Sequence, residues 1–309
     1  MKRITGIGAN VYDTLIMLPE YPTEDTKMKA DEIKSVGGGP TATGLVAAAK
    51  LGKDLDVKVD FIGSVAGDDR GKFLLDDFAK WGVGTSNVTV ESGCESFCSF
   101  VMLSAKEKTR TCVFHRGNKP PLSLSMAQKS AIAASDILMV DGNELSAAIE
   151  GAKTIHGAGG KVLYDAGGLY EEIEKLLPHV DILIPSEEYS LGHTGCDNAD
   201  DAAKKLFETY HPEVVVITQG KRGGLVYDGK LTRYGIIDTP VVDSNGAGDV
   251  FHGAFAFAMT QGWDYRKCAI FASATSSLKC TRVGARAAVP SFDEVISILK
   301  ENGYGEMVL

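Results

Sequence analysis

The stretch VDSNGAGDVFHG, residues 242–253, places glycines and carboxylates directly before an apolar helical run. Gly246 and Gly248 allow unusual backbone dihedral angles and carry no side chain that would block a close approach. The first amide groups of a helix have no partner within the helix and lie at the positive end of its dipole, so such a start can bind an anion. The spacing therefore predicts an anion hole of the kind that holds a phosphoryl group.

Asp249 falls in the first turn of this predicted helix, close to the anion hole. A hydroxyl group held between them would lose its proton to Asp249 while its oxygen attacks phosphorus. We expect an aspartate at a helix N-terminus to stay ionised and to be a weak base, which phosphoryl transfer tolerates because it depends mainly on positioning and charge neutralisation. The spacing also fits a purely structural role, in which Asp243 or Ser244 caps the helix and Asp249 complements the dipole.

The elements that would position this site follow from apolar periodicity. β-branched runs alternate with amphipathic patterns, which predicts right-handed crossovers and a mainly parallel sheet. The predicted buried strands are RITGIGA near the start, DVKVDFIG (56–63), DILMV (136–140), KVLYD (161–165), DILIP (181–185) and EVVVITQG (213–220). The predicted helices are 71–82, 144–157, 200–210, 246–260, 264–280 and 291–302, with a hairpin formed by GGLVYDG and LTRYGII. Open parallel sheets bind ligands at the carboxyl ends of their strands, and VDSNGAGD falls at that edge.

Two regions interrupt this alternation. Residues 11–36 contain two prolines and are predicted to be extended, and residues 95–115 form two alternating strands around the charged turn SAKEKT. Together they predict a small antiparallel sheet outside the main one. Such a sheet would cover a substrate or pair with another subunit, or it would be a plain surface hairpin.

The bulk composition limits the classes of function. The 309 residues are 44% hydrophobic and carry a net charge of −9, which suits a single globular α/β domain over 1–309 and argues against nucleic acid as a partner. No apolar run approaches the length of a membrane span, and MKRITGIG lacks the apolar part of a signal peptide, so we expect a soluble cytoplasmic protein without a membrane partner. The cysteines and histidines are scattered without metal-site spacing, so we assign no transition-metal centre.

Other nucleotide-binding signatures fit poorly. No G-x-x-x-x-G-K-[ST] motif is present. Gly6 and Gly8 follow a strand, but the third glycine of the dinucleotide fingerprint is missing and no helix pattern comes next. This argues against an NAD-linked dehydrogenase.

Four motifs together resemble one known family. DSNGAGDVFHGAF resembles the C-terminal signature of the ribokinase-like (PfkB-type) sugar kinases, D-[TS]-x-G-A-G-D-x-F. SVGGGPTATGLVAAAKLG (35–52) is similar to the family's glycine-pair signature. GSVAGDDRGKFLLDDFAKWGV (63–83) is similar to its G-x-V-G-x-D-x-x-G segment, and ITQGKRGGLVYDG (217–229) is similar to its nucleotide-side T-x-G-x-x-G strand. The resemblance spans nearly the whole chain. It implies a ribokinase-like three-layer α/β/α fold with a mainly parallel central sheet and a small β-sheet lid at about 11–36 and 95–115.

The resemblance also implies roles for individual residues. Asp249 matches the catalytic base, and Gly246, Ala247 and Gly248 match the anion hole. The residues implied on the substrate side are Asp13, Gly38, Gly39, Thr43, Lys27 and Asp141. The residues implied on the nucleotide side are Thr218, Gly220, Gly223, Asn245 and His252.

The sequence departs from the family pattern at two places. Members usually carry asparagine at the positions that align with Pro40 and Thr43, so the hydroxyl-binding pattern is altered. The N-x-x-E element near Mg²⁺ is S-E-E-Y here, in which Glu187 or Glu188 would replace the usual acid or would be an exposed helix acid. The resemblance implies ATP and Mg²⁺, because two adjacent phosphates need charge neutralisation, and it allows a monovalent cation (K⁺).

The tail LKCTRVGARAAVP (278–290), with GGGPTATG, is most similar to the branch of sulfofructose kinases and their ketohexose-kinase relatives. Lys27, Arg116 and Lys119 lie in or near the lid and would meet an anionic group on the substrate, or would be solvated surface charges. Arg282 and Arg286 are candidates for contacts to the nucleotide or to a cation-binding loop.

The sequence thus predicts an ATP-dependent sugar kinase that phosphorylates a primary hydroxyl of a ketohexose or of an anionic derivative of one. Two alternatives stay open: a nucleoside kinase of the same fold, which would stack a base on aromatic side chains, and a catalytically weak sugar-sensing protein. The exposed strand edges of the lid predict a homodimer through the lid.

Overall fold

The structure, a computed structural model, describes residues 1–107, 109–168 and 170–307. Lys108, at the tip of the predicted lid hairpin, lies outside the described residues. Within these ranges the chain forms a central sheet of nine strands, flanked by helices, and a separate sheet of four strands. The predicted α/β architecture with a small second sheet is therefore present.

The strands coincide with the short apolar runs. In chain order they are β1 (Lys2–Ile7), β2 (Val11–Leu18), β3 (Glu32–Gly38), β4 (Val57–Ala66), β5 (Gly84–Glu91), β6 (Cys98–Ser104), β7 (Thr109–His115), β8 (Ile137–Val140), β9 (Lys161–Ala166), β10 (Ile182–Pro185), β11 (Val214–Thr218), β12 (Gly224–Tyr227) and β13 (Leu231–Tyr234). All six predicted buried strands and the predicted hairpin are confirmed. β5 was not predicted.

The helices coincide with the amphipathic segments. They are α1 (Pro40–Leu51), α2 (Asp69–Trp81), α3 (Met126–Ala133), α4 (Leu145–His156), α5 (Glu187–Thr194), α6 (Ala199–Tyr210), α7 (Ala247–Thr260), α8 (Tyr265–Lys279) and α9 (Phe292–Glu301). The six helices predicted with bounds are confirmed to within two residues at each end. α1, α3 and α5 were not predicted with bounds. Among the described residues, no helix is both long and apolar enough to span a bilayer.

The central sheet has the order β13-β12-β11-β10-β9-β8-β1-β4-β5. Every pairing from β11 to β5 is parallel, and β12 and β13 add an antiparallel edge. Successive strand residues point to opposite faces, so Ile137 and Met139 pack with α1, α7 and α8, whereas Leu138 and Val140 pack with α4 and α6. This is the three-layer arrangement that places the carboxyl ends of the parallel strands, β1, β4, β5 and β8–β11, at one edge.

The second sheet is the predicted lid, with the order β3-β2-β6-β7. The prediction of a purely antiparallel sheet is wrong, because β2 and β6 pair in parallel. Both strands enter the lid from the same edge of the central sheet, one after β1 and the other after β5, so they run in the same direction. Each is flanked by its own antiparallel neighbour, β3 or β7.

Candidate active site

A cavity of about 360 Å³ lies at the carboxyl edge of the central sheet. Its walls include Thr218, Gly220 and Gly223, which follow β11, and it ends against Ala247 and Gly248 at the start of α7. The structure thus brings three of the predicted nucleotide-side residues together with Ala247 and Gly248 of the predicted anion hole in one cavity.

A second wall of this cavity was missed by the sequence analysis. It is formed by one face of α8 and by the segment around β13, and its residues are Tyr234, Ile236, Ser273, Ser276, Ser277 and Cys280. Three of the α8 positions are serines, whose small side chains leave space for a ligand. The signal in the sequence was their helical spacing, i, i+3, i+4, which puts them on one face.

Helix α7 begins without a side-chain cap. Its first flanking residue is Gly246, whose φ of 73° lies in the left-handed region that favours glycine. The Asp243 carboxylate accepts hydrogen bonds from the amides of Asn245 (2.8 Å) and Gly284 (2.8 Å) instead. The alternative in which the side chain of Asp243 or Ser244 caps the helix is therefore wrong. The Ala247 amide donates to the carbonyl oxygen of Ser244 (3.2 Å), so the amides that follow it in the first turn are the ones that could bind an anion.

Gly246 and Gly248 differ in the space that surrounds them. A Cβ on Gly246 would lie 2.6 Å from the Cβ of Ala285, whereas a Cβ on Gly248 would have no atom of the described chain within 4 Å. Gly246 is thus required by the fold itself. The open space at Gly248 lies in the wall of the cavity, where a ligand atom would approach the backbone.

Asp249 lies in the first turn of α7, next to this opening. Burial raises the pKa of Asp249 above the usual aspartate value, although the neighbouring charge of His252 opposes the rise. This corrects the expectation of an ordinary, weakly basic carboxylate, since a raised pKa makes the ionised form a better proton acceptor.

His252, one turn further along α7, is buried beneath Asp249. Its Nδ1 lies 2.7 Å from the carbonyl oxygen of Gly248 and its Nε2 lies 2.9 Å from that of Ile184. Each ring nitrogen thus lies within hydrogen-bonding distance of a backbone carbonyl oxygen, and the Asp165 carboxylate lies 3.2 Å from Nδ1. Both nitrogens are therefore already engaged, which argues against the predicted contact of His252 with a nucleotide.

Asp13 faces the body of the protein from lid strand β2. The Ser99 hydroxyl donates to its Oδ1 at 2.6 Å, and burial raises the pKa of Asp13. A Cβ on Gly38 would overlap the Asp13 carboxylate, and Gly39 has a φ of 95° with its Cα against the carbonyl of Ala9. Gly38 and Gly39 are therefore needed by the fold itself, because a side chain at either position would collide with Asp13 or with the backbone of Ala9.

Arg286 is buried behind the same glycines. Its guanidinium donates to Asp77 (2.5 Å), to the carbonyl of Gly38 (2.7 Å) and to Asn10 (3.2 Å). Arg286 thus lies beside the glycine pair and does not line the cavity that contains Thr218, Gly220 and Gly223. Arg282, by contrast, forms an ion pair with Glu294 on the surface.

Two predicted substrate-binding residues have structural surroundings instead. Both carboxylate oxygens of Asp141 are used inside the protein: Oδ2 accepts from the amides of Ala9 and Thr41, and Oδ1 accepts from Asn143. Thr43 is 1% exposed within α1. The Thr43 hydroxyl oxygen has no hydrogen-bond partner among the described residues, and the predicted sugar contacts of Asp141 and Thr43 stay predictions.

The basic residues of the lid divide into engaged and exposed groups. Lys119 donates to the carbonyl and hydroxyl oxygens of Ser64 (2.5 and 3.1 Å), so its ammonium is already occupied. Lys27 is exposed in the loop between β2 and β3, and Arg116 donates to Asn143 at 2.8 Å.

Arg110, on β7, was missed by the sequence analysis. It reaches from the lid to Asn245 at 2.5 Å, directly before the anion hole. Asn245 is therefore a contact between the lid and this loop, and no signal in the sequence links two positions so far apart.

The predicted magnesium ligands do not form a metal site. The Glu187 carboxylate is bound by Gln219 and Arg222, and Glu188 is exposed at the start of α5. Within the described parts of the chain, no group of three or more potential metal-ligating side chains (His, Cys, Asp or Glu) converges. Mg²⁺ that is bound mainly through ATP phosphates needs only one or two carboxylates, so the assignment of Glu187 or Glu188 stays a prediction.

Comparison with known proteins agrees with this geometry. Residues 1–291 match the pfkB family of carbohydrate kinases. A ribokinase of Haemophilus influenzae is 27% identical over 307 residues, covering 97% of this chain and 99% of that protein. A 5-dehydro-2-deoxygluconokinase of Shouchella clausii is 25% identical over 303 residues, covering 91% and 90%. The structure of Arabidopsis thaliana ribokinase complexed with ribose and ATP has a TM-score of 0.85 to this one at 25% identity, covering 97% and 98%.

The fold and these similarities define an ATP-dependent carbohydrate kinase with ribokinase-like three-layer architecture. The chain belongs to the pfkB family. The family, fold class and enzyme class predicted from the four motifs are thereby confirmed.

Proposed function

We propose that this enzyme transfers the γ-phosphoryl group of ATP to a primary hydroxyl of a sugar, a ketohexose or an anionic derivative of one. Asp249 accepts the hydroxyl proton, and the amides of Gly246–Gly248 hold the phosphoryl oxygens. The sugar lies between Asp13 and the glycine pair, beneath the lid. The substrate is the complex of ATP with Mg²⁺, whose metal is held by the phosphates.

The observation that carries this proposal is the uncapped start of α7. Thr218, Gly220 and Gly223 line one cavity with the open space over Gly248, and the half-buried Asp249 lies in the same helical turn. Asp13 lies close enough to Asp249 for that charge to contribute to the raised pKa of Asp13. A sugar gripped by Asp13 would therefore have a hydroxyl within reach of the base and of the anion hole.

The lid supports a second part of the proposal, a homodimer. Phe100 and Val113 are opposite each other on β6 and β7 and are exposed, whereas Val101, the next residue of β6, points to the other face and is buried. Ile33 of β3 is also exposed on the lid. An apolar outer face of this kind is typical of a surface that pairs with a second copy.

The test of substrate class is an ADP-release screen with Mg²⁺ and ATP. The acceptors are ketohexoses, their phosphorylated and sulfonated forms, pentoses and nucleosides. We expect turnover with a ketohexose or an anionic derivative. Preference for a nucleoside would instead identify the nucleoside-kinase alternative, and binding without turnover of any acceptor would identify a sugar sensor.

The test of mechanism is Asp249→Asn. We expect kcat to fall by at least about a hundredfold, because the variant cannot accept a proton, while sugar binding by calorimetry stays nearly unchanged. Asp293→Asn, which alters an exposed first-turn acid of α9, is the matched control and should keep full activity. Near-normal turnover by Asp249→Asn would contradict the assigned base.

A further inference from the structure

Lys279, the last residue of α8, is a lysine without solvent exposure (0%). Its Nζ donates to the carbonyl oxygen of Asp243 at 2.7 Å and lies 4.0 Å from the Asp243 carboxylate. Burial of an ammonium group is costly unless it is paired and hydrogen-bonded. The loop that receives it is the segment that leads directly into the anion hole.

The oxygens around Lys279 are already used by donors of the chain itself. Asp243 Oδ1 and Oδ2 each accept a backbone amide, from Asn245 and Gly284. The Cys280 carbonyl accepts the amides of Val242 (2.8 Å) and Asp243 (3.1 Å). A bound K⁺ would need several carbonyl or carboxylate oxygens that it could coordinate directly. The described residues of the segments 242–245 and 280–284 therefore do not fit the monovalent cation that the family resemblance allows.

We propose that the Lys279 ammonium is a built-in cation that holds the segment 243–246 in place and makes this kinase independent of added K⁺. The inference rests on the proposed function, since it concerns the loop that shapes the anion hole. Lys279 is a positioning residue because it acts through Asp243 and contacts no reacting atom.

The charges around Lys279 agree with this role. Burial lowers the pKa of Lys279, and the carboxylates of Asp243 and Asp249 oppose that shift, whereas the neighbouring charge of Arg110 adds to it. The three charged groups lie on different elements: Asp243 is on the loop before α7, Asp249 is in α7 and Arg110 is in β7 of the lid. The two carboxylates favour the charged form of Lys279.

The first experiment needs no variant. Initial rates of the wild-type enzyme are measured with K⁺, with Na⁺ or with tetramethylammonium as the only added monovalent cation, at constant ionic strength. We expect equal rates. A clear stimulation by K⁺ would overturn the inference.

The second experiment removes the ammonium. Lys279→Ala leaves space beside Asp243, so we expect kcat to fall by about tenfold or more without K⁺, since the anion hole loses its alignment, with part of the loss restored by K⁺ or NH₄⁺. The matched control is Lys50→Ala, since Lys50 donates to the carbonyl of Ala287 (3.2 Å) in the same C-terminal segment but does not contact Asp243. That variant should show no cation dependence.

Thermal unfolding provides a readout that is independent of turnover. K⁺ should raise the Tm of Lys279→Ala and leave those of the wild type and of Lys50→Ala unchanged. If no sugar is phosphorylated, the proposed function fails while the melting data still test Lys279. If the kinase is active but Lys279→Ala shows no effect of K⁺ on rate or Tm, the inference fails alone. Should Lys279→Ala not fold, the wild-type rates decide.

Discussion

Asp249 is a carboxylate placed where its charged form is unfavourable. Burial raises its pKa, and His252, Arg110 and Arg286 supply positive charges that limit the rise. Asp165, beside His252, has a pKa that is also raised by burial. A group whose pKa is higher in the folded state than in the unfolded chain gives stability at low pH that is lost as pH rises through the folded value. The proposed base therefore costs stability at neutral pH.

The pH dependence follows from this sign. We expect the acid limb of kcat/KM to lie above 3.8, the ordinary aspartate pKa, because the base must be ionised. We also expect Asp249→Asn to be more stable than the wild type at pH 7, with the difference shrinking as the pH falls towards that value. Chemical unfolding at several pH values measures this. Equal stability of the two proteins at pH 7 would contradict a raised pKa.

At the scale of elements, the site depends on a close crossing of α1 and α7. Gly44 and Gly253 meet there, and a Cβ on Gly253 would overlap the backbone of Gly44. The crossing brings the start of α1, which directly follows Gly38 and Gly39, close to the start of α7. Two motifs that are far apart in the chain become one site because two glycines allow their helices to touch.

Gly246 and Gly248 provide a matched pair of variants at the start of α7. Gly246→Ala should destabilise the protein by about 1–3 kcal/mol, because it combines a positive φ with a 2.6 Å approach to Ala285. Gly248→Ala should fold with near-normal stability but lose phosphoryl transfer, because its methyl group would enter the open space where a phosphate lies. Unfolding curves and ADP release separate the two effects. Full activity in Gly248→Ala would argue against a phosphate at that position.

At the scale of the whole molecule, the lid is a second sheet that contributes Asp13 and Arg110 to the site while leaving its other face apolar. The contact of Arg110 with Asn245 joins the lid to the anion-hole loop. The exposed edges β3 and β7 remain unpaired within the described chain. The same four strands would thus serve catalysis on one face and assembly on the other.

The assembly is tested by charge on the outer face of the lid. We expect the wild type to be a dimer by light scattering and Val113→Lys to be a monomer, since a buried lysine would oppose pairing. The control is Val90→Lys, which changes a similarly exposed valine (53% against 57%) on β5 of the central sheet. A monomeric wild type, or dimers unaffected by Val113→Lys, would refute the lid as the interface.

Much of the fold is predictable because its signals are local. Buried parallel strands are short apolar runs, and helices such as α7 and α8 show their period within a few turns. β5 was missed because GTSNVTVE, on the edge of the sheet, is polar and half exposed. α5 was not predicted with bounds because its eight residues, EEYSLGHT, mix charged, polar and small side chains without a clear apolar stripe.

The sequence alone predicted the reaction class, because four motifs in one order resemble a single kinase family, whereas the spacing around Asp249 by itself also fitted simple helix capping. Tertiary structure decided which residues are free to act. Asp141 and Lys119 are occupied by internal partners. Arg286 donates to the carbonyl oxygen of Gly38, and Lys279 donates to that of Asp243, which lies 36 residues away in the chain. Such partners are set by packing between distant segments, and no local pattern records how many hydrogen bonds a buried group has already made.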